Sequence, residues 1–121
     1  MRDPAVVTEI RLRKAERVLD IAFEDGARFT LSAEYLRVES PSAEVQGHAP
    51  NQKQFVAGRR HVGIIAIEPV GNYAVRLIFD DLHETGIYSW DYLYELGVEQ
   101  DRRWDAYLEG LAARGLSREP N

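Results

Sequence analysis

Three histidines, His48, His61 and His83, are the side chains of this sequence best suited to hold a metal or move a proton near neutral pH. No two of them stand at a spacing that brings both onto one metal within a single helix or hairpin. His83 sits in the turn Asp81-Leu82-His83-Glu84-Thr85, and His48 sits in Gln46-Gly47-His48-Ala49-Pro50, between a glycine and a proline. His61 follows Arg59-Arg60, a small basic cluster able to receive a phosphate or a carboxylate. Ser32, Ser40, Ser42, Ser89 and Ser117 are the serine hydroxyls on offer, and none lies in a G-x-S-x-G elbow. There is no Walker lysine motif and no dinucleotide glycine fingerprint. Asp80 and Asp81 are neighbours on a strand-like run, so their carboxylates point to opposite faces and do not converge. The absence of cysteine excludes a disulfide scaffold, a thiolate zinc finger, an iron–sulfur cluster held by this chain alone and any thiol nucleophile. No convergent acid, base and nucleophile can be assembled, and a non-enzymatic role is expected.

The elements that must position these groups repeat. IAFEDGARFTLSAEYL, from Ile21 to Leu36, matches LIFDDLHETGIYSWDYL, from Leu77 to Leu93. Phe23 falls on Phe79, and Glu24-Asp25 falls on Asp80-Asp81. After one extra residue in the second turn, Ser32, Glu34, Tyr35 and Leu36 fall on Ser89, Asp91, Tyr92 and Leu93. Each stretch is preceded by a further strand-like run, Glu9 to Arg13 and Ile64 to Glu68. Leu19, Ile21 and Phe23 alternate with Val18, Asp20 and Ala22, the period of a half-buried strand. Asp25-Gly26 suits a tight hairpin turn. Short strands at 28–31 and 86–88 lead to Ser32 and Ser89, each placed as a helix N-cap with an acid two residues on.

The predicted fold class is therefore α+β: two pseudo-repeated β-β-β-α units, about 8–38 and 62–97, forming antiparallel sheets, plus a C-terminal helix at about 101–114. Trp104, Tyr107, Leu108 and Leu111 are predicted on one face of that helix, with Gly115 ending it. The segment 39–61, with two prolines and no sustained period, reads as a long loop of the kind that carries function. The polar tail from Ser117 to Asn121 is expected to fray.

At 121 residues, 1–121 is read as a single domain. Fifteen Lys and Arg (thirteen of them arginine) against twenty Asp and Glu give a net charge of −5, which argues against binding to nucleic acid through phosphates. Apolar runs fall short of the roughly 18 residues a membrane span needs. The opening Met-Arg-Asp-Pro lacks the apolar segment of a signal peptide, so a cytoplasmic location is expected, without membrane partners.

Four stretches carry a family resemblance: LRVESPSAEVQGH from Leu36 to His48, IEPVGNYAVR from Ile67 to Arg76, Phe79-Asp80-Asp81, and HETGIYSWDYL from His83 to Leu93. Over roughly residues 5–115 the chain resembles a bacterial family of unknown function, named for its similarity to the N-terminal domain of gamma-butyrobetaine hydroxylase. In the hydroxylase that domain holds structural zinc through three cysteines after a Leu-Arg pair and a later histidine. By position these fall on Ser40, Ser42, Val45 and His83. Only the histidine survives. Hydroxyls are poor zinc ligands beside thiolates and valine cannot coordinate, so the resemblance implies a dismantled site. A replacement site built from His48 and His83 with Glu44 or Asp81 would suit iron or another borderline metal.

The hydroxylase's catalytic iron and 2-oxoglutarate belong to its other domain, so its activity is not implied. The module is also similar to a domain fused to Mrp-type ATPases that carry iron–sulfur clusters. That company implies a protein-binding adaptor in iron–sulfur or metalloprotein biogenesis. The expected surface is the 39–61 loop with the His83 turn, with Arg37, Ser40, Ser42, Arg59 and Arg60 as partner contacts. The alternative is a metal-binding module, for iron or zinc, with His83 and His48 as ligands. No resident cofactor is assigned beyond that possibility.

Overall fold

A computed structural model describes residues 4–42, 45, 55–84 and 86–120. Val7–Arg13 (β1), Val18–Phe23 (β2) and Arg28–Ser32 (β3) form an antiparallel sheet in the order β1-β2-β3, followed by the helix Ala33–Val38 (α1). Ile64–Val70 (β4), Ala74–Phe79 (β5) and Ile87–Ser89 (β6) repeat that order in a second antiparallel sheet, followed by Trp90–Val98 (α2). Gln100–Ala113 (α3) continues after Glu99, so the C-terminal helix begins and ends one residue earlier than the sequence suggests. The fold class is the predicted α+β, with two three-stranded units and further helix at the C-terminal end.

The repeat extends to individual hydrogen bonds. Ser32 Oγ accepts from Tyr35 N at 3.0 Å, and Ser89 Oγ accepts from Tyr92 N at 3.1 Å, which fixes where each helix starts. Each first strand carries a register shift at the same point, between Val7 and Glu9 and between Ile64 and Ala66. Ala33 N donates to Arg17 O, and its counterpart Trp90 N donates to Tyr73 O. The units then clasp each other reciprocally. The Tyr35 hydroxyl donates to Leu96 O in α2, and the Tyr92 hydroxyl donates to Glu39 O at the end of α1. Tyr35 and Tyr92 are counterparts, as are Glu39 and Leu96, so one contact is made twice about a pseudo-two-fold axis. Burial pushes both phenols well above the usual tyrosine range, which keeps them as donors.

The inner faces of both sheets share one core. Leu19, Ile21, Phe23 and Leu31 from the first sheet pack with Val75, Leu77, Phe79 and Tyr88 from the second, closed by Tyr35, Leu36, Leu93 and Leu96 from the helices. Neither unit has enough apolar surface to bury alone, so packing the two together supplies the core each lacks. A smaller cluster joins Val38, Tyr107 and Leu111 to Phe55, Val56 and Ala57, and so lays the 55–57 segment on α3. Gly110 makes room there: a Cβ on it would collide with the Phe55 ring. Leu108 departs from prediction, being 37% exposed, because α3 packs on one side only and its buried stripe is Tyr107 and Leu111.

Candidate functional site

The second unit's turn, between β5 and β6, meets the chain leaving α1. His83 Nε2 lies 2.9 Å from Ser40 Oγ and 3.4 Å from Ser42 Oγ. Ser40 is fully buried and His83 nearly so, while Val45, the third position of the expected constellation, is buried as well. Ser40 and half-buried Ser42, just after α1, thus meet His83 from more than forty residues along the chain. Gly86 allows this, since a Cβ there would stand 2.5 Å from Ser40 Oγ. The first unit solves the same problem in reverse. Phe29, the counterpart of Gly86, fills the space, and Gly97, the counterpart of Ser40, yields to it: a Cβ on Gly97 would stand 2.4 Å from the Phe29 ring.

Beside the imidazole, Asp81 organises the turn. Its Oδ1 accepts from His83 N at 3.1 Å, and its Oδ2 accepts from Arg37 Nε at 2.8 Å. Arg59 Nε makes an ion contact with the same Oδ2 at 2.8 Å, without hydrogen-bond alignment. Burial pushes the Asp81 pKa up, but the His83 amide and the two guanidiniums outweigh it and hold the carboxyl below its usual range. Arg37 Nη1 is buried with no hydrogen-bond partner among the described residues. The counterpart of the Arg37–Asp81 contact is Tyr94 with Asp25, where the phenol donates to Oδ2 at 2.6 Å.

Leu82, between Asp81 and His83, has φ +72° and is 82% exposed. Its counterpart in the first turn is Gly26, φ +91°, which meets the same backbone demand without a Cβ penalty. The matching bonds Gly26 N to Phe23 O and Leu82 N to Phe79 O confirm that the turns are equivalent. A leucine in the left-handed region costs about 1–2 kcal/mol relative to its ordinary conformations, and here it is spent on an apolar side chain projected into solvent.

Of the residues the sequence singles out, Arg37, Ser40, Ser42, Arg59, Asp81 and His83 come together. His48 and Glu44 lie outside the described residues. Arg60 is directed elsewhere, onto Glu119, and His61 stands 3.9 Å from the same carboxylate. That pairing corrects the expectation of a frayed tail. Gly58 N donates to Ser117 O at 2.9 Å, Arg60 N donates to Arg118 O at 3.0 Å, and the Arg118 guanidinium forks onto Glu34 at 2.8 and 2.7 Å. Sequence reasoning missed Leu82 and Glu34. Aligning the two turns could have found the first, because a leucine replaces the turn glycine.

The donor set at Ser40, Ser42, Val45 and His83 does not fit a thiolate zinc site: one imidazole, two hydroxyls and an alkyl group supply no anionic ligand. Among the described residues no three His, Cys, Asp or Glu side chains group as metal ligands would. None of the described helices is long and apolar enough to cross a membrane.

Fold and site together define a class: a two-unit α+β module with a buried histidine–serine knot at one of its two equivalent turns. The chain belongs to the gamma-butyrobetaine hydroxylase-like, N-terminal family, whose model matches residues 10–94. Two solution NMR structures are similar to it. One is 43% identical, covers 98% of this chain and 94% of its own, and has a TM-score of 0.85; the other is 50% identical, covers 99% and 89%, and has a TM-score of 0.84. A crystal structure from Acidithiobacillus ferrooxidans ATCC 23270, of a protein of unknown function in the DUF971 family, is 41% identical over 75% of this chain and 91% of that one, with a TM-score of 0.64. No curated protein matches the chain.

Proposed function

We propose that the protein is a non-enzymatic binding module that docks a partner protein through the β5–β6 turn and the arginines beside it. The observation that carries this reading is Leu82. An exposed leucine in a strained backbone position, where the sister turn uses glycine, is unfavourable twice over in the free chain. Contact with a partner would offset both costs by burying about 1.5–3 kcal/mol of apolar side chain. Arg59 flanks it, only partly buried, and Arg37 and Asp81 hold the turn rigid beneath it. The fully buried Ser40 hydroxyl is suited to bracing the turn through His83 rather than to attacking a substrate.

The partner class we propose, from the resemblance alone, is an Mrp-type iron–sulfur carrier ATPase, in the cytoplasm, within iron–sulfur or metalloprotein assembly. Purified protein and such an ATPase, mixed and analysed by calorimetry, test this. Wild type is expected to bind, and Leu82→Gly or Arg59→Ala to weaken binding at least tenfold while the fold is retained. Equal binding by wild type and variants would exclude the turn surface, and no binding by wild type would exclude this partner.

A metal-binding reading has one supporting observation, the approach of His83 Nε2 to two oxygen donors at positions that align with thiolates in the hydroxylase. Under it, His83 with His48 would hold iron or zinc. Elemental analysis of untagged protein decides: stoichiometric metal lost on His83→Ala supports it, and metal-free protein rejects it.

A further inference from the structure

The C-terminal residues 117–119 occupy a pocket whose chemistry is specific. At its base lies Glu34, in the first turn of α1, with its side chain only 6% exposed. A carboxylate so buried is costly unless paired and hydrogen-bonded, and here both oxygens accept from one guanidinium, the Nε and Nη2 of Arg118. The Trp104 indole forms a wall, with the Arg118 guanidinium carbon 5.2 Å from its ring centroid, within cation–π range. Gly58 N and Arg60 N supply two backbone donors that grip the carbonyls of Ser117 and Arg118. Glu119 completes the set by pairing with Arg60.

The sister position shows that this is not what the fold requires. Asp91, the counterpart of Glu34, is an exposed carboxylate that accepts from the backbone amide of Ala5 at 2.7 Å. Glu34 of the first unit, the Trp104 ring of α3 and the amides of Gly58 and Arg60 are together arranged as an arginine receptor. A bidentate fork, a stacked ring and main-chain hydrogen bonds are the ingredients by which proteins read a short basic segment.

We propose that the Glu34–Trp104 pocket is a docking site for an arginine-bearing peptide segment of a partner protein, closed in the isolated chain by its own Arg118. The pocket does not depend on the Leu82 surface, and its test uses no ATPase, so the two readings fail separately. The tail is a tethered competitor. A segment anchored a few residues from its site acts at an effective concentration on the order of millimolar, enough to exclude a weak external peptide until the anchor is removed.

The test uses the full chain carrying Arg118→Ala, titrated with the capped tetrapeptide Ser-Arg-Glu-Pro and followed by Trp104 fluorescence and calorimetry. The variant is expected to bind the peptide at least tenfold more tightly than wild type, less tightly as salt is raised, and not at all when the peptide arginine is alanine. Adding Glu34→Gln should abolish binding. Should Arg118→Ala fail to fold, Arg118→Lys keeps the charge without the fork and should bind the peptide at an intermediate level. Equal binding of the arginine and alanine peptides, or of neither, by a folded variant overturns the proposal. A wild-type dimer that dissociates on Arg118→Ala also overturns it, because the tail of a second copy would then be the occupant.

Discussion

Replacing Gly86 by alanine places a methyl group 2.5 Å from Ser40 Oγ and 3.2 Å from Tyr88 Cε1, with Pro41 Cδ at 3.4 Å. Gly86 is not among the positive-φ glycines, so the substitution tests space and not backbone conformation. Neither Ser40 nor Tyr88 has room to retreat, because both are fully buried and Tyr88 donates to Leu36 O. Overpacking of this kind costs about 1–3 kcal/mol. Ser40→Ala removes the colliding oxygen together with its bond to His83, at about 1 kcal/mol. The double variant should then cost less than the sum of the two, with a coupling of about 1 kcal/mol or more, because the methyl group occupies the volume the hydroxyl vacates. Urea unfolding followed by the fluorescence of Trp90 and Trp104 reads this directly. At a slope of about 1–3 kcal/mol/M, Gly86→Ala shifts the midpoint down by roughly 1 M. Additivity within about 0.5 kcal/mol would refute the reasoning, since it would mean that Ser40 does not stand against Gly86.

Tyr35→Phe and Tyr92→Phe should each cost about 1–2 kcal/mol in the same assay, because each removes one of two equivalent buried hydrogen bonds; a loss below 0.5 kcal/mol for either, on the same scale, would break the reciprocal clasp. Leu82→Gly should leave stability unchanged or raise it by up to about 1 kcal/mol, as relief at φ +72° offsets the greater freedom of glycine in the unfolded chain; a clear loss of melting temperature would contradict the strain. Asp81 has a folded pKa below its usual 3.8, so its stabilising contribution is present above that value and is lost as pH falls through the folded pKa. The stability gap between wild type and Asp81→Asn, measured from pH 7 to pH 2, should therefore be constant above about pH 5 and close at the acid end, whereas a gap that widens on acidification has the wrong sign. Ser40→Cys, Ser42→Cys and Val45→Cys in one chain should give a protein that retains stoichiometric zinc through three thiolates and His83; metal-free protein would show that these four positions do not converge as the resemblance implies.

Much of the architecture is written locally. A strand period of two, a serine three residues before a tyrosine amide and a turn acid two residues before an amide each act within a few residues, so both units were legible before folding. Their similarity also carried the pairing order, because two sheets with the same alternation bury the same faces. Even the site was partly legible, since the aligned family motif marked Ser40, Ser42 and His83 as neighbours.

What the sequence could not supply is whatever depends on distant surfaces meeting. Leu108 has the right helical phase to be buried, but packing on one side of α3 leaves it in solvent. Glu34 reads as an ordinary first-turn acid, and its burial follows from a tail 84 residues away that brings Arg118 back to it. Arg60 belongs by sequence to the cluster beside His83, yet Glu119 draws it to the other side of the 55–62 segment. Local hydrogen bonding chose the elements, because its partners lie within a turn of each other. Packing of the complete chain chose which charges face which, because only the closed core decides where each element's outer face is left.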